Sequence, residues 1–486
     1  MKTPKGQKLK IWIVLAGILA AILSLVLPHH VEGQGTTITA RNGKTSIRFA
    51  DSQREYKINF DGDFELSDDD TDIIDISRGG YFEISKSAFG TKRKVFIEST
   101  RDGGLNKMYF IGKQQQSFEP EGRKWLAEIL PEIVQTTTIG SDSRVNRFYR
   151  NGGATAVMRE VDNLDGDYLK SHYIKLLLNK PLSSDDIVLV LEETADEVKS
   201  DHYLSEILQE NERQFLQNSE TISAYIHATE EINSDHYRST VLKKILRLKS
   251  LDKDAMESLI KSAEDINSDH YLTETLSEVL EARELSDELI QAIIISSEAI
   301  QSDHYQTELF KRALKHEDIS EKSFWQIVDA SGEISSDHYK TQLYKDLLEE
   351  NLKEEVLIKI LENIEDDISS DHYSHILLTK IITEHPLSPE SLEAFAEAME
   401  EVNSDHYASQ TIIKASREAD LDDDLVLALL KIAEGINSDF YLSQTLINLS
   451  AYINERNNTE LKEAYRKVAS EINSDSYYGK ALKALE

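Results

Sequence analysis

Apolar residues change period along the chain, and the change divides it. Up to about residue 117 they alternate with polar residues or come in short bursts. Examples are Thr45-Ser-Ile-Arg-Phe49, Tyr56-Lys-Ile-Asn-Phe60, Tyr81-Phe-Glu-Ile84, Lys94-Val-Phe-Ile97 and Met108-Tyr-Phe-Ile111. Such runs are the pattern of short, half-buried strands. Asn42-Gly43, Asp61-Gly62, Arg78-Gly-Gly80 and Asp102-Gly-Gly104 punctuate them as turns. The pattern predicts five to seven antiparallel strands over 35–117, arranged as a small sandwich, meander or roll. After Pro120 the period becomes helical, with Trp125, Leu126, Ile129, Leu130, Ile133 and Val134 on one face. A second helix is expected near 142–150, so 119–150 reads as a helical linker and cap.

From 151 to 486 one phrase recurs. Asp stands at 167, 201, 235, 269, 303, 337, 371, 405 and 439, always 34 residues apart, and again at Asp475 after 36. Ser precedes it, except for Gly166, and Tyr follows two places later, except for Leu169. Ile, Val or Leu lies three places before it, as in Ile232, Ile266 and Ile300. Fixed self-similarity at this length marks a solenoid of helical hairpins, each unable to bury its apolar face alone. The unit around Asp269 shows how. A helix over Asp254–Ile266 puts Leu259, Ile260, Ala263 and Ile266 on one face. Asn267 suits a left-handed helix end and Ser268 the N-cap of the next helix, with the Asp269 carboxylate beside its positive end. Tyr271, Leu276, Val279 and Leu280 carry the apolar face onward, and a turn at Glu284–Asp287 leads out. The fold class expected is mainly α: about ten HEAT-like hairpins after a small antiparallel β domain. Pro181, Pro386 and Pro389 fall at junctions, where a missing N–H does least harm.

The N-terminus changes the picture of placement. Lys2, Lys5, Lys8 and Lys10 precede an apolar run, Ile11–Leu27. We read 1–10 as a basic cytoplasmic tail and 11–28 as an uncleaved signal anchor. That predicts a single-pass, N-in protein of a bacterial inner membrane, with residues after about 30 in the periplasm.

Composition narrows the chemistry. With 54 basic and 88 acidic residues the formal charge is −34. Such a surface repels phosphate backbones, which argues against nucleic acid and for a basic protein partner. There is no cysteine, hence no disulfide, thiolate metal site or Cys nucleophile. His-Glu-x-x-His, P-loop, Gly-x-Ser-x-Gly and Gly-x-Gly-x-x-Gly motifs are absent. We therefore expect no enzyme, no catalytic residue, no resident metal and no cofactor.

Ser-Asp-His-Tyr itself invites a metal reading. One His per unit, about 10 Å from the next, cannot share an ion whose bonds are about 2 Å long. The His slot also holds Tyr168, Phe440 and Ser476. Asp61–Asp72 has a calcium-loop look but lacks EF-hand spacing, and a solvated hairpin turn is the preferred reading. What remains is an acidic edge where first helices end. The candidate interaction residues are Asp235, His236, Asp269, His270, Asp303, His304, Asp337, His338, Asp371, His372, Asp405 and His406, with Glu230, Glu231, Glu264, Asp265, Glu400 and Glu401. Such an edge serves solubility, docking of a basic protein, or weak binding of divalent cations.

The Ile-x-Ser-Asp-[His/Tyr]-Tyr units follow Thr71-Asp-Ile-Ile-Asp-Ile76, Gly80-Tyr-Phe-Glu-Ile84 and Trp125-Leu-Ala-Glu-Ile-Leu-Pro131. Together, over roughly 55–486, they resemble the extracytoplasmic part of bacterial membrane metalloproteases of the beta-lactam-sensor type and their stand-alone relatives. The resemblance implies an envelope-facing sensing or interaction module. The metalloprotease and its zinc motif are missing, so protease activity does not carry over. The function expected is a membrane-anchored scaffold or sensor subunit that binds protein through its acidic solenoid. The alternatives are a β head that binds a small molecule or cell-wall fragment, and an uncharacterised enzyme in that head.

Overall fold

The computed structural model describes residues 35–41, 44–50, 54–88, 90–247, 251–281, 285–316 and 319–485. They are mainly helical, with a small antiparallel sheet first. The expected anchor at Ile11–Leu27 and the Asn42-Gly43 turn lie outside the described residues, as does Glu284. Among the described residues no helix is long and apolar enough to cross a membrane. This corrects the expected inner-membrane placement, which plays no part below. The chain divides into two compact units, Met1–Asn211 and Glu212–Glu486.

Among the described residues of the first unit nine strands precede the helices: β1 (Gly35–Arg41), β2 (Lys44–Ala50), β3 (Arg54–Asp61), β4 (Phe64–Leu66), β5 (Ile73–Ile76), β6 (Tyr81–Ala88), β7 (Thr91–Ser99), β8 (Leu105–Ile111) and β9 (Gln114–Gln116). Seven form one antiparallel sheet in the order β1-β2-β3-β6-β7-β8-β9, and β4 with β5 makes a separate hairpin. Apart from the β4–β5 hairpin inserted between β3 and β6, strands consecutive in the chain are neighbours in the sheet, which is therefore a meander. Its register aligns Ile47, Ile58, Ile84, Val95 and Tyr109 in a row across five strands. All five are buried, so one face is continuous and apolar, as period-two patterning requires. Helix α1 (Arg123–Thr136) covers that face with Trp125, Leu126, Ile129, Leu130, Ile133 and Val134. Each fully buried side chain of this size contributes roughly 1.5–3 kcal/mol.

The helix expected near 142–150 is longer. It runs as α2 over Ser141–Asp162, broken by non-helical backbone at Gly152 and Gly153. Gly153 has φ +67°, a left-handed conformation that a side chain would resist. Helix α3 (Asp167–Leu178) pairs with α2, and a second hairpin, Ser184–Glu197 and Asp201–Glu210, packs beside them.

The acidic β4–β5 turn is not the solvated loop expected from sequence. Asp70, at φ +55°, is buried. Its carboxylate takes Arg144 Nε at 2.9 Å and Arg147 Nη2 at 2.7 Å. Arg144 is fully buried and also reaches Glu160 and the Tyr173 hydroxyl, each at 2.5 Å. Burial alone pulls the Arg144 pKa down, but Tyr173, Asp70 and Glu160 outweigh it and the guanidinium is held charged. Asp72 takes Lys107 and Arg123. The loop thus ties the sheet to α2, with the Asp70 and Asp72 carboxylates spent on arginine and lysine. Asp69 takes hydroxyls instead, and those of Ser67 and Thr71 hold its pKa down to about 2.

In the second unit, first helices pack on first helices and second on second, as in Glu354–Asp367 against Pro389–Glu400 and Asp371–Glu384 against Asp405–Glu418. Each motif Ile or Val is buried, Ile232, Ile266, Ile334 and Ile436 among them. The first helix of the Asp269 unit spans Lys253–Ala263, three residues shorter at its end than expected.

Candidate functional site

Every copy of the phrase in the second unit sits where a first helix turns into a second. Ser occupies the N-cap with extended backbone, as Ser268 does at φ −81°, ψ 114°. Its side chain makes no capping hydrogen bond, and the same holds for Ser302, Ser336, Ser404 and Ser438. Asn267 is not left-handed either. Among the described residues only Asp70 and Asn457 are non-glycine residues with positive φ. The N-cap position of Ser268 is as expected; the left-handed Asn267 is corrected, and one arrangement explains both this and the idle hydroxyl.

The Asp is the first residue of its helix, and its carboxylate crosses to the next repeat. Asp235 accepts from the backbone N–H of Asn267 (3.1 Å) and Ser268 (2.9 Å). Asp269 accepts from Gln301 (3.1 Å) and Ser302 (2.8 Å), and Asp303 from Ser335 (3.2 Å) and Ser336 (2.9 Å). Asp405 and Asp439 repeat the pattern on Asn437–Ser438 and Asn473–Ser474. Asp337 uses the Ser370 N–H and the Ser369 hydroxyl, and Asp371 takes Asn403 N–H. Two turn amides need acceptors that their own helices do not supply. One charged carboxylate supplies both, in charge-assisted bonds. The Asp residues are therefore half-buried and committed.

The acidic helix ends are exposed, but some carry cations from the preceding hairpin. Arg238, almost wholly buried, reaches Asp265 at 2.8 Å. Lys340, 2% exposed, reaches Asp367 at 3.2 Å. Lys170 meets Glu197 in the first unit in the same relation. Glu264 accepts from the Ser296 hydroxyl at 2.6 Å, and Glu230 meets His227. Congestion remains near Glu365. Burial first, then Glu397, Asp366, Glu401 and Glu362, push its carboxyl pKa up.

The histidines point outward. His236, His270, His304, His338, His372 and His406 are exposed. Each ring lies 5.1–5.4 Å from the Tyr of its own unit, as with His270–Tyr271 and His236–Tyr237. It lies 5.4–6.1 Å from the Tyr of the next, as with His406–Tyr441 and His338–Tyr373. Phe440 continues the series onto Tyr441 and Tyr477. From His236 to Phe440 the slot therefore holds a flat ring, which explains Phe440 where imidazole chemistry did not; the last copy, with Ser476, ends the series. No group of three or more His, Asp or Glu among the described residues is placed to hold a metal ion.

Sequence reasoning missed His375. It stands where eight of the other nine copies place Ser or Thr, stacks on Tyr407 at 5.4 Å and 28°, and pairs with Thr411 Oγ1 at 2.8 Å. Burial, then His372 and His406, lower its pKa. A second omission lies in the first unit. A cleft of about 410 Å³ beside Trp125 and Tyr109 is lined by Arg93, Lys124, Glu121 and Glu128.

No protein-family description matches this chain, and no curated protein does. Among solved structures it is similar to one described as "Computational Design of Self-Assembling Cyclic Protein Homooligomers" (14% identity, 65% of this chain, 95% of that chain, TM-score 0.11). Another is a "Circular tandem repeat protein with novel repeat topology and enhanced subunit contact surfaces" (14% identity, 75% of this chain, 81% of that chain, TM-score 0.17). At such TM-scores these likenesses carry no argument, and the reading below rests on the residues.

Proposed function

We propose that this protein is a binding scaffold whose helical repeats present an acidic edge to a protein partner with a basic surface. The observation that carries this is a division of labour within the phrase. Asp and Ile are turned inward to join hairpins, while His and the Glu/Asp helix ends face solvent at each repeat. Repeat stacks offer extended surfaces of this kind without a catalytic pocket. A −34 chain draws a basic partner and speeds its encounter.

Cross-linking of the full-length protein in its native cells, followed by mass spectrometry, tests this. A defined partner linked to 212–486, and lost as salt rises, is the expected outcome. Cross-links confined to 35–117 would refute it. They would favour a second reading, in which the cleft beside Trp125 holds a small molecule; its size lies within the range of ligand sites.

A further inference from the structure

The ring series asks for a more specific occupant. We propose that the His–Tyr ladder from His236 to Tyr477 docks an extended segment of a partner protein that carries arginine or lysine at regular intervals, one cation per repeat. This rests on the scaffold reading above and names the chemistry of its partner.

Three observations carry it. The ladder is exposed at its six imidazoles and at Phe440 and half-exposed at the tyrosines, so rings are offered to solvent along it. Exposed aromatic faces attract guanidinium and ammonium groups. The ladder also shows this preference internally: at its last tyrosine, the Lys480 ammonium stands 4.9 Å from the centre of the Tyr477 ring. Finally, the first-helix ends beside the ladder are acidic and exposed, and around Glu365, whose pKa burial raises first, Glu397, Asp366, Glu401 and Glu362 add like-charge repulsion. A chain bearing cations relieves that repulsion, whereas an anionic polymer adds to it. Neighbouring helices pack about 10 Å apart, and an extended chain advances about 3.3 Å per residue. A basic residue at about every third position therefore keeps step with the repeats.

The regular ladder also fits a neutral glycan, whose sugar faces stack on rings. Charge favours the cationic chain, and the glycan becomes an outcome of the test.

The probe is a deca-arginine peptide, titrated against the full chain by calorimetry and fluorescence anisotropy. Two variants, H270S/H304S/H338S and H270F/H304F/H338F, are compared with the natural chain. Ser and Phe both occur naturally in this slot, at Ser476 and Phe440. Neither set adds or removes an acidic residue, so net attraction is retained, and circular dichroism checks folding. The serine set is expected to bind about tenfold or more weakly, and the phenylalanine set to bind like the natural chain. Equal binding by all three overturns the ladder as the cation site. So does failure of the phenylalanine set to rescue, because the rings would then not be the contact. Binding of cello-oligosaccharide that the serine set abolishes overturns it in favour of a glycan. If a partner found by cross-linking binds the serine set unchanged, the scaffold reading stands and only this inference falls.

Discussion

The carboxylate of Asp269 holds the backbone N–H of Ser302, 33 residues later, at 2.8 Å. The Ser302 hydroxyl, placed to cap the same helix, makes no capping bond. The amide that begins one helix is thus served by the preceding repeat, and the same relation recurs along the second unit. The phrase is in the first place a joint between hairpins.

A buried charge network makes the first unit sensitive at Arg144. Replacing Arg144 with Met leaves Asp70 and Glu160 short of their partner in a dry site. Breaking a buried pair in this way costs roughly 3–5 kcal/mol. Urea unfolding of R144M is expected to show a loss of that order. A loss below about 1 kcal/mol would mean that water replaces the guanidinium.

At the Lys340–Asp367 joint the two partners differ in burial, and the variants should differ with them. D367A strands a buried ammonium that then keeps only the Gly332 carbonyl, at 3.3 Å. K340M removes that charge and retains the stem's packing. We expect D367A to be the more destabilising, by about 1–2 kcal/mol, in chemical denaturation. Equal losses would show that the ion pair itself, rather than the stranded charge, dominates.

On the opposite turn edge, Asp287 joins hairpins with a pH signature. Burial raises its pKa, but the hydroxyls of Ser323 and Ser320 and the Ser320 N–H outweigh burial, and the net shift is downward. A carboxyl depressed in the folded state stabilises above its unfolded pKa and loses that contribution as pH falls through the folded value. The natural chain should therefore exceed D287N in stability by about 1 kcal/mol at pH 7. That gap should close below about pH 3.9. A gap unchanged between pH 7 and pH 3 would contradict the assignment.

The hairpins were legible because spacing alone reveals them: Ile266, Asp269 and Tyr271 recur in step, and stacking follows. The alternation from Tyr56 to Phe60 likewise exposed the sheet's buried face. What could not be read was the partner of each Asp. A carboxylate at a helix start looks like a dipole companion, and only packing brings the next turn within reach. One signal was present: Asp holds its place in all ten copies, while Gly166 and Ser476 show the neighbouring slots relaxing. Asn267 misled because Asn tolerates left-handed backbone, whereas here its amide donates to Asp235. The Asp70–Arg144 pair gave no signal, since 74 residues separate two unremarkable charges. His375 gave no signal because it lies outside the repeated phrase, further along the helix that the phrase begins.

The most direct test compares D269A with S268A by urea unfolding at neutral pH. If the carboxylate joins hairpins and the serine hydroxyl caps nothing, D269A should lose about 1–3 kcal/mol. S268A should then stay within about 0.5 kcal/mol of the natural chain. The reverse order, with S268A losing the roughly 1 kcal/mol typical of a lost N-cap and D269A near neutral, would contradict the joint and return the phrase to simple helix capping.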